Sequence, residues 1–208
     1  SSLINQRIGS YFGGVIWSRL NALLTPVLVT VKGKEHIAAN TSYVVIPNHQ
    51  SYYDIFLIYG WLGLDIKWVM KKELAKIPGL GFGSKKVGHI FIDRSNSKAA
   101  MESLHAARQK LVNGTSVVIF PEGTRSRTGQ LIPFKRGGFK LALELKLPIL
   151  PVTVINTRKV LPPDSLDLMP GRVKMIIHPP IDLYGYDEKN MPELMQKVRS
   201  IIETALGR

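Results

Sequence analysis

The sequence contains no cysteine, which at once excludes disulfides, thiolate metal sites and a cysteine nucleophile and fits a cytosolic compartment. It also lacks any run of the roughly 20 apolar residues needed to span a bilayer. The first residues have neither the charged start nor the small-residue cleavage site of a signal peptide. As written the chain does not cross a membrane, although it opens Ser1-Ser2 with no initiator Met, so an upstream segment with a spanning helix stays open. Acidic residues are scarce: 15 Asp and Glu face 28 Lys and Arg, for a formal net charge of +13. An excess of that size implies an anionic partner, whether nucleic acid, an acidic membrane face or a phosphorylated substrate. Nucleic acid is disfavoured, because no basic helix run, zinc-ligand set or aromatic-rich recognition strand is found.

What is present suits one folded unit with an N-terminal appendage. The chain has 208 residues, 45% of them hydrophobic, with 18 Gly and 13 Pro, enough for a single core and too apolar for disorder. Over residues 1–30, Ile8, Phe12, Val15, Ile16, Leu20, Leu23, Leu24 and Val27 recur at helical spacing, and Pro26 should end or kink that helix. This segment reads either as an interfacial helix lying on a membrane, with Tyr11, Trp17 and Arg19 at headgroup level, or as a helix covering the core.

From residue 31 to 208 short Val/Ile-rich runs alternate with helical ones. Strands are expected at 42–47, 66–70, 90–92, 116–120, 149–155 and 173–177, and helices at 53–62, 97–112, 138–145 and 192–206. Within 97–112, Ala100, Leu104, Ala107 and Leu111 line one face. That order predicts an α/β fold with a mixed, largely parallel central sheet flanked by helices. The glycine-rich stretch 79–85 lacks the Gly-Lys-Ser/Thr ending of a phosphate-binding loop and reads as a loop.

In such sheets ligands gather beyond the carboxyl ends of strands, and chemically useful residues follow three of these strands directly. The first group is Asn48-His49-Gln50-Ser51-Tyr52-Tyr53-Asp54. His49 in the loop and Asp54 in the first helical turn form either a general base with its orienting carboxylate or a structural cap. The second is Asp93-Arg94, where the Arg can grip a phosphate or merely pair with Asp93. The third, Pro121-Glu122-Gly123-Thr124-Arg125-Ser126, offers glycine, hydroxyls and an Arg as a phosphate cradle. Lys71 and Lys72 add positive charge or form a solvated pair. His36, His89, His105 and His178 have no partner at metal or triad spacing and read as structural, so no metal site is expected.

Four ordered segments carry a resemblance. They are His49-x4-Asp54, Phe91-Ile92-Asp93-Arg94, Phe120-Pro121-Glu122-Gly123-Thr124-Arg125-Ser126 and Leu147-Pro148-Ile149-Leu150-Pro151-Val152. Together they are similar to the motifs of the glycerolipid acyltransferases, over about residues 31–180, and most closely resemble those of the 1-acylglycerol-3-phosphate acyltransferases. The resemblance implies transfer of an acyl group from acyl-CoA or acyl-carrier protein, used as substrate with no further cofactor, to a lysophospholipid. It further implies His49 as base and Asp54 as its orienter, with Lys71, Arg94, Glu122, Gly123, Thr124 and Arg125 on the acceptor's glycerol phosphate. Pro148, Ile149 and Pro151 would shape the acyl site. It favours the interfacial reading of residues 1–30 and a peripheral or monotopic place on the cytoplasmic face of a membrane. Rival expectations are acylation of glycerol 3-phosphate or another lysophospholipid, hydrolysis with the same His and Asp, and a non-catalytic membrane-binding module.

Overall fold

The structure, a computed structural model, describes residues 2–93, 99, 102, 103, 106, 108, 111 and 113–207, with side chains from residue 6 onward. Its centre is a seven-stranded sheet: β1 (Val27–Lys32), β2 (Val44–Pro47), β3 (Asp65–Lys71), β4 (Ile90–Ile92), β5 (Thr115–Val118), β6 (Ile149–Ile155) and β7 (Gly171–Ile177). Their order across the sheet is β1-β7-β6-β2-β5-β3-β4. Every neighbouring pair is parallel except β6 and β7, as expected of a mixed, largely parallel sheet.

The central strands are buried on both faces, which is why they read as continuous apolar runs. Val44, Val45 and Ile46 of β2 are wholly buried, as are Ile149, Leu150, Val152 and Val154 of β6. The helix Tyr53–Trp61 places Tyr53, Leu57 and Ile58 on one face of the sheet. The helices Gly137–Leu145 and Met191–Ala205 cover the other with Phe139, Leu141, Leu194, Val198 and Ile202. The helix expected over 97–112 falls largely outside the described residues, although Leu111 is buried against the second face.

Two elements differ from expectation. The N-terminal helical stretch ends at Leu24 and is followed at once by strand β1, which pairs with β7 from Val27↔Gly171 to Lys32↔Ile176. β1 was missed because its valines alternate at period two, the mark of an edge strand, beside a longer stretch of helical spacing. The stretch read as a loop contains a helix, Leu80–Lys86. Gly81 makes close packing possible: a Cβ there would strike the carbonyl oxygen of Ala75.

The N-terminal stretch runs Ser2–Ser10, then a π-helical turn Tyr11–Ile16, then Trp17–Leu24. It packs with its small side inward. Gly14, Ser18 and Ala22 are buried, and a Cβ on Gly14 would strike the ring of Tyr59. Its large apolar side faces outward, with Ile8, Tyr11, Phe12, Trp17, Leu20, Leu23 and Leu24 all exposed. Arg7 anchors its start through Asp65 at 3.2 Å and the carbonyl of Asn113 at 2.7 Å.

His89, just before β4, joins the sheet to helix Tyr53–Trp61 through the hydroxyl of Tyr59, 2.7 Å from its Nε2. Burial, reinforced by the charge of Lys67 and opposed by Asp65, pushes the His89 pKa down to about 4. The unfolded chain, with an ordinary value near 6.5, therefore takes up a proton that the folded chain refuses, and this contribution to stability is lost as pH falls from about 6.5 to about 4. His89→Gln retains a partner for Tyr59 and removes the titration. In urea unfolding at a series of pH values, the variant is expected to gain steadily on the wild type below about pH 6.5; a constant difference would contradict this account.

Candidate active site

The carboxyl ends of β2, β3, β4 and β5 open on one edge of the sheet. Neighbouring strands β2 and β5 lead into helices on opposite faces, Tyr53–Trp61 and Gly137–Leu145. A crevice forms where connections diverge in this way, and His49 and Glu122 occupy it from the two sides.

After β2 the chain is held by Asn48, whose side chain donates to the carbonyl of Val154 at 3.0 Å and accepts from its N–H at 2.7 Å. Ser51 then donates its hydroxyl to the carbonyl of Leu161 and accepts from the N–H of Tyr53. The turn between them curls around Asp54. Its Oδ2 lies 2.7 Å from Nδ1 of His49 and accepts the N–H groups of Gln50 at 2.6 Å and Ser51 at 2.9 Å. Asp54 is fully buried, while the His49 side chain is 12% exposed. Because an ionised carboxylate only accepts, the proton is assigned to Nδ1 and Nε2 is left as the basic nitrogen. The imidazole stacks on Phe120 with ring centres 3.8 Å apart, and Phe120 stacks on Trp68. Hydrogen bond and stack together fix the ring plane.

The loop after β5 closes the other side. Glu122 is turned inward and 2% exposed. Its Oε1 accepts the N–H of His49 at 2.6 Å and its Oε2 accepts that of Ile132 at 3.1 Å. The N–H of Ser126 returns to the carbonyl of His49 at 2.8 Å, so both polar groups of that peptide backbone are bound by one loop. Gly123 has a positive φ of 71°, and a Cβ there would lie within about 3.0 Å of the Lys135 side chain. Lys135 therefore lies alongside the loop, a cation that sequence reading missed.

Arg125 lies over the ring of Tyr52, 3.8 Å from its centre, and Nη2 is 3.8 Å from Asp164. Its buried Nη1 has no hydrogen-bond partner. A buried donor in that condition costs stability unless a ligand fills it. Among the described residues, Lys71 ends β3 on this edge and is exposed, and Lys72 pairs with Asp93 at 3.5 Å. Arg94 lies outside the described residues. Pro148 and Ile149 lie toward the far end of β2, where Ile149 pairs with Val44, whereas Pro151 pairs with Ile46, next to its carboxyl end. A cavity of about 620 Å³ lies at the opposite, amino edge of the sheet, lined by Arg7, Tyr11, Phe12 and Asn113 among others.

Arg199, on the last helix, was also missed. It donates to the carbonyls of Leu131 and Ile132 at 3.1 and 3.0 Å and pairs with Glu203 at 2.7 Å. It thus braces the loop that feeds an N–H to Glu122. Only the Arg-x3-Glu spacing at residues 199–203 hints at this in one dimension.

Among the described residues, the crevice thus joins an imidazole held by a buried carboxylate to a loop whose Arg125 carries a buried donor without a hydrogen-bond partner. A family model described as Acyltransferase matches residues 28–155, from the second residue of β1 to the last of β6. The chain belongs to that family, in the branch of the 1-acyl-sn-glycerol-3-phosphate acyltransferases. A 1-acyl-sn-glycerol-3-phosphate acyltransferase of Cocos nucifera is 34% identical over 94% of this chain and 63% of its own length. One of Saccharomyces cerevisiae is 35% identical over 93% of this chain and 65% of its own length. The chain thus spans less than two thirds of these relatives. The crystal structure of the 1-acyl-sn-glycerophosphate (LPA) acyltransferase PlsC from Thermotoga maritima superposes with a TM-score of 0.78 at 31% identity, covering 90% of this chain and 74% of that one.

Burial, opposed by the two backbone N–H groups, and the nearby Asp54 charge raise the Glu122 pKa to about 7. Between its ordinary value near 4.5 and about 7 the folded chain holds a proton that the unfolded chain has released, so this group's contribution to stability is lost as pH rises through that window. Glu122→Gln forfeits one acceptor but cannot ionise. In calorimetry its stability deficit should be largest near pH 4.5 and shrink toward about pH 8; a deficit that widens with pH would overturn this reading.

Proposed function

We propose that this chain transfers a fatty acyl group from the thioester of acyl-CoA or acyl-carrier protein to the sn-2 hydroxyl of lysophosphatidic acid, forming phosphatidic acid. The observation that carries the proposal is the His49–Asp54 hydrogen bond of 2.7 Å, set beside the unfilled Nη1 of Arg125. In this reading Nε2 of His49 accepts the proton of the acceptor hydroxyl as its oxygen attacks the thioester carbonyl. Asp54 stabilises the imidazolium, as an orienting carboxylate does for a histidine base. The tetrahedral intermediate then collapses, the carbon–sulfur bond breaks, and the thiolate recovers the proton from His49. No acyl-enzyme is needed, in keeping with the absence of cysteine. Arg125 binds the acceptor phosphate, helped by Lys71, Lys135 and the backbone of Gly123 and Thr124. Arg94 belongs to the same proposed set by its place in the resemblance.

Both acceptor and acyl chain are lipids, and a site at a membrane surface spares them transfer through water. No helix among the described residues is long and apolar enough to cross a membrane. The outward face of residues 8–24 offers another mode, in-plane contact on the cytoplasmic leaflet. Large exposed apolar patches of this kind mark interaction sites, and the +13 charge favours an anionic leaflet.

Purified protein given lysophosphatidic acid with acyl-CoA or acyl-carrier protein is expected to release thiol and form phosphatidic acid by mass spectrometry. His49→Ala should lower kcat by about 10²- to 10⁴-fold, and Arg125→Ala should chiefly raise KM for the phosphorylated acceptor. Equal turnover by wild type and His49→Ala would remove His49 from the mechanism, and free fatty acid as sole product would replace the transferase with a hydrolase.

A further inference from the structure

The helix Leu80–Lys86 is poorly equipped to exist for its own sake. It is seven residues long, contains Gly81 and Gly83, and follows Gly79; each interior glycine weakens a helix by about 1 kcal/mol relative to alanine. Its inner side is tightly fitted, with Gly81 against Ala75 and Ser84 buried. Its outer side carries exposed apolar groups: Phe82 is 69% exposed, and Leu80 and the preceding Ile77 are each 45% exposed. Around them stand Lys71, Lys72, Lys76, Lys85 and Lys86, with Glu73 as the single acid between residues 71 and 88. The ammonium of Lys86 lies 5.4 Å from the centre of the Phe82 ring. An aromatic ring with a lysine head beside it is the arrangement of residues that bury their apolar part below a lipid headgroup and keep the charge at its level.

The position of this helix is equally informative. A Cβ on Gly9 would lie 3.2 Å from Val87, and one on Gly88 would lie 2.8 Å from Gln6. The segment therefore abuts the N-terminal helix whose exposed apolar face is described above. We infer that Ile77, Leu80 and Phe82, ringed by Lys76, Lys85 and Lys86, form a second contact with an anionic lipid bilayer that continues the N-terminal contact. This inference rests on the membrane reading of the proposed function. Charge complementarity and continuity with that face select the bilayer over a protein partner.

The absence of cysteine permits a clean test. Phe82→Cys and, as a control, Tyr184→Cys at a residue that is 96% exposed are each labelled with an environment-sensitive fluorophore. Each is then mixed with vesicles of phosphatidylcholine, with or without phosphatidylglycerol, and sedimented in parallel. The label at residue 82 is expected to shift to the blue with anionic vesicles while that at 184 stays unchanged. Lys85→Gln/Lys86→Gln should weaken vesicle binding on the order of 30-fold, with its melting temperature unaltered. Sedimentation of the protein without a blue shift at residue 82 would overturn the second contact and leave the N-terminal one standing. Failure to sediment with either vesicle would overturn the membrane reading as well.

Discussion

The site depends on one buried carboxylate oxygen. Oδ2 of Asp54 gathers three N–H donors: the imidazole of His49 and the backbones of Gln50 and Ser51. A carboxylate with no exposure would be costly without such partners. It lies in the first turn of a helix, where the backbone dipole also favours negative charge. Holding this oxygen obliges residues 48–53 to turn back on themselves, and that turn sets the direction of the imidazole. Loss of the carboxylate would leave donors unpaired in a buried loop, so the fold of this loop and the direction of the imidazole are bound to the same atom.

The sheet explains why a loop from a distant segment can complete this arrangement. β2 lies between β6 and β5. Asn48 ties the end of β2 to β6 on one side, while Glu122 and Ser126, beyond the end of β5, hold His49 from the other. All these contacts join residues more than 70 positions apart in sequence, yet they lie side by side because parallel strands bring their carboxyl ends to one edge. Glu122 and His89 also show what burial costs at the two ends of the same layer. One is pushed toward its neutral acid and the other toward its neutral base, so their contributions to stability run in opposite directions with pH and partly offset each other.

Much of this was legible in the sequence because parallel strands buried on both faces declare themselves as apolar runs. The expected bounds 90–92 and 149–155 coincide with β4 and β6. The His49–Asp54 pair was legible because both partners fall within one loop and one helical turn. The antiparallel pairing of β6 with β7, the brace of Arg199 and the inward turn of Glu122 were not, because each depends on residues far apart in the chain. Glu122 is the instructive case. A carboxylate in a motif suggests contact with a ligand, but whether its oxygens face ligand or backbone is decided by the fold around it. The helix Leu80–Lys86 was hidden for the converse reason: its local preference is against helix, and packing against Ala75 overrides it.

The antiparallel strand also decides which edge of the sheet the N-terminal stretch reaches. Because β7 runs against β6, with Lys174 opposite Ile155, the residues Gly171–Val173 extend past the carboxyl end of β6. Gly171 in turn pairs with Val27, the first residue of β1. The N-terminal helical stretch therefore starts at the amino edge, where Arg7 holds Asp65, and ends at the carboxyl edge, the edge of His49. Exposed Leu23, Leu24 and Leu28 are placed on that side. This apolar surface therefore ends on the same edge of the sheet as His49. A fully parallel sheet with the same strands would have started β1 at the opposite edge and parted the two.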